Sequence, residues 1–312
     1  MENSKLILGE TNIKGIIKID GNKENVAANS NLIKLISSEL TIHNNIILCN
    51  NLNKTTKRTK KSSNLNVNRF FGSAIYAIYS KINILGGEIS NNIHEIFINE
   101  KNKESKLPEI IDKDFIYCVR GAGLYMNNKC ILNMFNGKIT NNKGINNSSI
   151  YSNINSSHLK VKNASLHQNC QGIGIFASKN CEIYLHKGEI SNNTAINNGK
   201  IFFKTPNNEK MSNIFEIYSC IYGAGIYSIS SKVEINEDFI IKNNLCQLNS
   251  NINIEKNCLI LKAIHSAIRG GHIYCNNSKC NIRGSIQNGN NNSKITLNIF
   301  NKDTLDKEKN IH

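Results

Sequence analysis

The sequence predicts an all-β chain wound as a single right-handed parallel β-helix, and three observations carry that prediction. A Gly-rich motif recurs five times at a step close to 50 residues, and an Asn-rich motif follows it in fixed phase. Between them, short runs alternate apolar and polar residues with period two.

The first motif reads Gly72-Ser73-Ala74-Ile75-Tyr76, Gly121-Ala122-Gly123-Leu124-Tyr125, Gly172-Ile173-Gly174-Ile175-Phe176, Gly223-Ala224-Gly225-Ile226-Tyr227 and Gly270-Gly271-His272-Ile273-Tyr274. Its glycine-to-glycine steps are 49, 51, 51 and 47 residues. The second runs from Gly87 to Asn92, Gly137 to Asn142 and Gly188 to Asn193. It continues as the degenerate Phe239 to Asn244 and Gly284 to Asn288. Two motifs locked in phase over five copies mark a repeat protein, whose units stack on their neighbours.

The runs between the motifs, such as Lys81 to Ile84, Glu182 to Leu185 and Val233 to Ile235, read as strands bounded by Gly and Asn. Each strand sends Ile or Leu inward. The chain changes direction at Gly, which accepts backbone angles that a Cβ resists, or at Asn, which tolerates the left-handed region better than most residues. Asn at equivalent corners of successive turns is expected to bond side chain to side chain in amide ladders.

A 50-residue unit is long for one turn, and further strand-like pieces lie between the motifs. Ser149 to Tyr151 with Leu159 to Val161 and Ser165-Leu166 reads as an extra turn, as does Ile252 to Ile254 with Leu259 to Leu261. The expectation is two rungs per repeat and about ten rungs in all. Residues 1–15 form an N-terminal cap or first strand, 16–300 the β-helix, and 301–312 a polar C-terminal tail.

Roughly one residue in six is Asn, and the net charge is +15. The Lys residues are dispersed among Asn, Ser and Glu, which implies weak attraction to polyanions and no specific nucleic-acid recognition. The one basic run, Lys54, Lys57, Arg58, Lys60 and Lys61, is expected in a solvated loop. No apolar run approaches the ~20 residues of a membrane-spanning helix. Residues 1–15 hold no apolar stretch of signal-peptide type, which leaves open a cytoplasmic location or a fragment of a longer exported product.

With these motifs the chain resembles the parallel β-helix repeats of polymorphic outer membrane proteins and autotransporter-type adhesins. Their units pair a Gly-Gly-Ala-Ile element with a Phe-x-x-Asn element. Here Gly-Ala-Gly-Ile-Tyr supplies the first, and Ile89 to Asn92 and Ile190 to Asn193 supply the second with Ile in place of Phe. The resemblance implies a pectate-lyase-like superfold at the cell surface or outside the cell, with a glycan or cell-surface protein as ligand.

The residues point to no catalytic site, cofactor or metal. Glu88 and Glu189 share one motif position, but with two rungs per unit they stand roughly 19 Å apart, too far to flank one glycosidic bond. Asp112 with Asp114 and Glu237 with Asp238 are too few oxygens for calcium. His43, His94, His167, His186, His265 and His272 show no metal-ligand spacing and are expected at surface or turn positions.

Cys130 and Cys181 lie nine residues after their motif glycines. On the two-rung reading they stand about 9.6 Å apart, beyond disulfide reach. Cys258 and Cys280 fall on consecutive rungs and are the pair that a disulfide would join, the alternative being stacked buried thiols.

The expected function is non-enzymatic: an adhesin-like β-helix that binds glycans or proteins through its elongated face. The residues nominated are Tyr76, Tyr125, Phe176, Tyr227 and Tyr274. They form one line along the coil and make an aromatic strip if Ile faces in and they face out. A pectate-lyase-like enzyme and an intracellular structural scaffold are the alternatives.

Overall fold

The computed structural model describes residues 1–10, 12, 14–22, 30–56, 72–98, 115–153, 164–204, 214–255 and 260–300. Among them there is no helix, and every strand pairing is parallel. The strands form five sheets, here called A to E, which the chain visits in a recurring order.

One interior turn shows the plan. Leu124–Asn127 lies in sheet A, Ile131–Met134 in B, Lys138–Thr140 in C and Lys143–Asn146 in D. Ser149–Asn153 forms a second limb of D, and Ala164–Gln171 lies in E. The next turn begins at Ile175, which pairs with Leu124. In the strand Leu245–Glu255 the two limbs of D merge.

This register corrects the expected two rungs per repeat. Ile75, Leu124, Ile175, Ile226 and Ile273 are direct neighbours in sheet A, so one repeat is one turn. Among the described residues sheet B has seven strands, from Lys5–Leu8 to Lys279–Ile282, which counts seven turns there in place of about ten. Of the strand-like pieces taken for extra turns, Ser149 to Tyr151 and Ile252 to Ile254 lie in sheet D and Ser165-Leu166 and Ile260-Leu261 in sheet E, whereas Leu159 to Val161 and Leu259 lie outside the described residues. Ile150 pairs with Ile201, a whole repeat away.

The apolar residues fill two separate cores. Sheets A, B and C enclose one, with Leu124, Met126, Leu132, Met134 and Ile139 contributed by a single turn, all inaccessible to solvent. Sheets D and E enclose the other, with Val119, Ile150, Cys170, Ile173 and Ile201. Each fully buried aliphatic side chain is worth about 1.5–3 kcal/mol relative to exposure, so the in-phase Ile and Leu of successive turns drive the stacking.

Between the cores the cross-section narrows to a waist, and the two sequence motifs meet there. A Cβ on Gly123 would lie 3.0 Å from Ile139 Cγ2 and 3.2 Å from Asn142 Nδ2, and 2.6 Å from the carbonyl of Gly174 in the next turn. Gly174 and Gly225 stand in the same relation to Asn193 and Asn244.

The Asn side of the waist is a ladder. Asn92 Nδ2 donates to Asn142 Oδ1, Asn142 Nδ2 to Asn193 Oδ1 and Asn193 Nδ2 to Asn244 Oδ1, each at 3.0 Å. Each amide also donates to a carbonyl of the sheet C strand one turn back, as Asn142 does to Ile89 at 3.0 Å. All four side chains are fully buried. The residue before each, Asn91, Asn141, Asn192 and Asn243, turns the corner at φ between 52° and 57°. Thus the Asn-Asn pair divides its labour, one for the bend and one for the burial. Two further ladders run at half-buried positions, Asn147–Asn198–Asn249 and Asn83–Asn133.

Residues Lys5–Leu8 pair with Glu39–Ile42 and begin sheet B. Lys54, expected in a loop, lies in the sheet D strand Leu52–Thr55 and pairs with Glu95 at 3.4 Å. Lys57, Arg58, Lys60, Lys61, Asp112, Asp114 and the tail 301–312 lie outside the described residues.

Candidate functional site

Sheet E runs into sheet A through the first motif, and Gly121, Gly172, Gly223 and Gly270 take φ between 53° and 57° at this corner. Strand alternation then decides which side chains go in and which go out. In sheet A the Ile or Leu enters the core, while the following aromatic residue leaves by the opposite face. In sheet E, Val119, Cys170 and Ile221 enter the second core, while Arg120, Gln171, Tyr222 and Arg269 leave as one column.

The outer faces of A and E meet at an angle and enclose a cleft of about 620 Å³. Its walls carry Tyr125, Phe176, Tyr227 and Tyr274 from A, with Asn127, Ser178 and Asn276 beside them. Arg120, Gln171, Tyr222 and Arg269 face them from E, with Cys118, Asn169, His167 and Tyr218 farther from the corner along that wall. No Asp or Glu is among the residues lining it.

The predicted aromatic strip therefore exists as a column but not as an exposed strip. Tyr125 and Phe176 are 2% exposed and Tyr227 5%. They belong to a third apolar cluster with Cys220 and Tyr222, with Tyr76 and Tyr274 partly buried at its ends. Sheet E supplies the cover, which the aromatic motif alone does not reveal.

The ring orientation corrects the expectation of a sugar-stacking surface. Tyr76 and Tyr125 stack at 5.2 Å and 2°, and Tyr125 and Phe176 at 5.0 Å and 4°. The faces are turned toward one another along the stack, so the cleft meets ring edges and hydroxyls. The stack breaks once, between Phe176 and Tyr227, where the planes differ by 44°. Tyr222 enters the cluster beside the next pair, 5.6 Å from Tyr227 and 5.2 Å from Tyr274.

Both guanidinium groups are positioned by their neighbours. Arg120 donates from Nε to Gln171 Oε1 at 2.6 Å and lies 5.1 Å from the Phe176 ring centre. Arg269 lies 5.9 Å from the Tyr222 ring, and a hydrogen bond to Tyr274 raises its already high pKa. Burial pushes the phenols of Tyr222 and Tyr227 up, so both remain hydroxyl donors at neutral pH. Burial likewise pushes the Cys118 thiol up and keeps it from acting as a thiolate. Farther from the corner on sheet E, His167, Tyr218 and His265 stack at 4.5 and 4.6 Å, and Tyr218 donates to Glu216 at 2.6 Å.

The four residues that complete the cleft, Arg120, Gln171, Tyr222 and Arg269, were not nominated from sequence. Their signal was available, because each immediately precedes a motif glycine.

The other nominated residues fall elsewhere. Glu88, Lys138 and Glu189 are consecutive register partners in sheet C. The two carboxylates are thus two strand spacings apart, about 9.6 Å rather than 19 Å, with Lys138 between them, and Glu189 pairs with Lys242 at 3.2 Å. His94, expected at the surface, is fully buried at the sheet D position that Ala195 and Cys246 of the second core take in later repeats. Its Nδ1 lies 3.1 Å from the Arg120 carbonyl, and burial lowers its pKa to about 4.

The cysteine expectations also change. Cys280 is disulfide-bonded to Cys275, not to Cys258, which lies outside the described residues. Cys275 lies in the sheet A strand Ile273–Asn276 and Cys280 in the sheet B strand Lys279–Ile282, and both are partly buried against the first core. Cys130 and Cys181 occupy neighbouring turns, not turns two apart, and both are buried free thiols. No group of three or more His, Cys, Asp or Glu suited to a metal ion occurs among the described residues. No helix there is long and apolar enough to cross a membrane.

No family model, curated protein or solved structure matches the chain.

Proposed function

We propose that the chain is a single right-handed parallel β-helix of the adhesin type, binding a glycan in the cleft between sheets A and E. The observation that carries this reading is the cleft itself. Parallel in-register strands repeat comparable groups every ~4.8 Å along one axis, and such a periodic wall suits a linear polymer of like units. The lining combines apolar ring edges with amides, hydroxyls and guanidinium groups, the mixture that fixes the orientation of a polar ligand in a half-apolar site.

The lining supplies no carboxylate pair for glycoside hydrolysis, which favours binding over cleavage. A location at the cell surface rests on the motif resemblance, and labelling of intact source cells tests it.

The test of binding is a glycan array probed with the full chain and with Tyr222→Ala. Retention of at least one glycan class that the variant loses supports the reading. An array without a single ligand sinks it, and release of reducing ends or unsaturated products from any bound polymer replaces it with an enzyme.

A further inference from the structure

We infer that the cleft selects an anionic glycan, whose carboxylate or sulfate is held between Arg120 and Arg269 where the aromatic stack is broken. This inference rests on the glycan reading above and adds the ligand's charge and the place that reads it.

The two arginines start three turns apart in one column of sheet E, about 14 Å at the usual strand spacing. Arg120 belongs to the turn of Tyr125 but reaches forward to Gln171 and Phe176 of the next turn. Arg269 lies between Tyr274 of its own turn, to which it hydrogen-bonds, and Tyr222 of the previous turn, whose ring centre is 5.9 Å away. The two positive groups thus flank the Phe176–Tyr227 step, Arg120 on the Phe176 side and Arg269 on the Tyr227–Tyr274 side.

The surroundings favour an anion at that point. Ring faces are negative and ring edges positive. The stacked column spends its faces internally and offers edges to the cleft. Tyr222 and Tyr227 add hydroxyls that stay protonated. Lys179 brings a third cation to the lining, and the lining holds no carboxylate. A carboxylate or sulfate would find forked guanidinium donors from two sides, which a neutral sugar cannot use as fully.

The experiment is calorimetric titration of the full chain with three hexasaccharides: a galacturonate hexamer carrying carboxylates only, a heparin hexamer carrying sulfates as well, and neutral cellohexaose. The expected result is that at least one anionic hexamer binds tenfold or more tightly than cellohexaose. Which of the two binds identifies the anion. Arg269 is exposed, so Arg269→Gln is chosen to keep the fold. It should weaken anionic binding about tenfold, with Arg269→Lys recovering part of the loss and Arg120→Gln acting in the same direction. Equal binding of cellohexaose overturns the anionic inference and leaves the glycan reading intact. An anionic preference that survives both Gln variants overturns the assigned site. Binding of none of the three overturns the glycan reading and this inference with it.

Discussion

Gly174 and Asn193 face each other across the waist of the coil, so closely that a Cβ on the glycine would sit 3.1 Å from the amide nitrogen of the asparagine. The pair joins the two repeat motifs, 19 residues apart in sequence, into one structural unit. It also separates the two apolar cores. The asparagine does more than fill space. Asn193 Oδ1 accepts from both Nδ2 of Asn142 at 3.0 Å and its backbone N–H at 3.1 Å.

Asn193→Ala removes that acceptor and leaves both donors of Asn142 buried without it. An unsatisfied buried polar group costs about 1–3 kcal/mol, so the variant should lose on the order of 2–5 kcal/mol in guanidinium unfolding. Asn198→Ala, in a half-buried ladder that water reaches, should lose less than about 1 kcal/mol. Equal losses at the two sites would contradict the account of the waist.

Gly172 holds φ at +53°, and a Cβ there would lie 2.2 Å from the carbonyl oxygen of Ile175. Gly172→Ala is expected to lose about 1–3 kcal/mol through left-handed strain and this clash. Asn192, at φ +54° and exposed, should accept Gly within about 0.5 kcal/mol. Unfolding midpoints of the two variants check the contrast, and an unaffected Gly172→Ala would refute it.

His94 makes stability fall in mild acid. Its folded pKa is about 4 against 6.5 in the free side chain, chiefly because burial disfavours the imidazolium. Between about pH 6.5 and about pH 4 the unfolded chain binds the proton and the folded chain does not. Stability therefore rises with pH through that window and is lost as pH falls, by about 2–3 kcal/mol in total. Denaturation at pH 7 and pH 4.5 should show a smaller acid loss for His94→Gln than for the native chain. Parallel losses would assign the acid sensitivity to other groups.

The described free cysteines, Cys49, Cys118, Cys130, Cys170, Cys181, Cys220 and Cys246, are all buried. A thiol reagent should reach none of them in the folded chain and all of them in guanidinium. Mass mapping under oxidising conditions should recover the Cys275–Cys280 link. Replacing both with Ser should cost about 2 kcal/mol, as for a short closed loop. Rapid modification of Cys130 or Cys181 in the native state would show that their turns open.

The architecture was legible because stacking repeats the same physical demand at each turn. Ile75, Leu124, Ile175 and Ile226 had to be apolar, the corner before them had to be Gly, and Asn92, Asn142 and Asn193 had to satisfy buried backbone. A pattern read along one dimension records such demands directly. The aromatic column was visible for the same reason, whereas the residues before each glycine, Arg120, Gln171, Tyr222 and Arg269, share no side-chain type and were not singled out.

Tertiary structure decided what periodicity cannot encode: which segments lie beside one another. A strand such as Ser149–Asn153 has the same alternation whether it opens a second turn or widens the first. Only its pairing with Lys200–Lys204, a full repeat later, makes one repeat one turn. Alternation likewise placed Tyr125 opposite Leu124 but said nothing of what covers that outer face. The fold of sheet E back toward sheet A buried the rings, turned their edges outward and brought Arg120 and Arg269 to the same cleft. Sequence spacing fixes direction along a strand, whereas contact across a corner depends on how the chain bends, and that bend is set by both cores together.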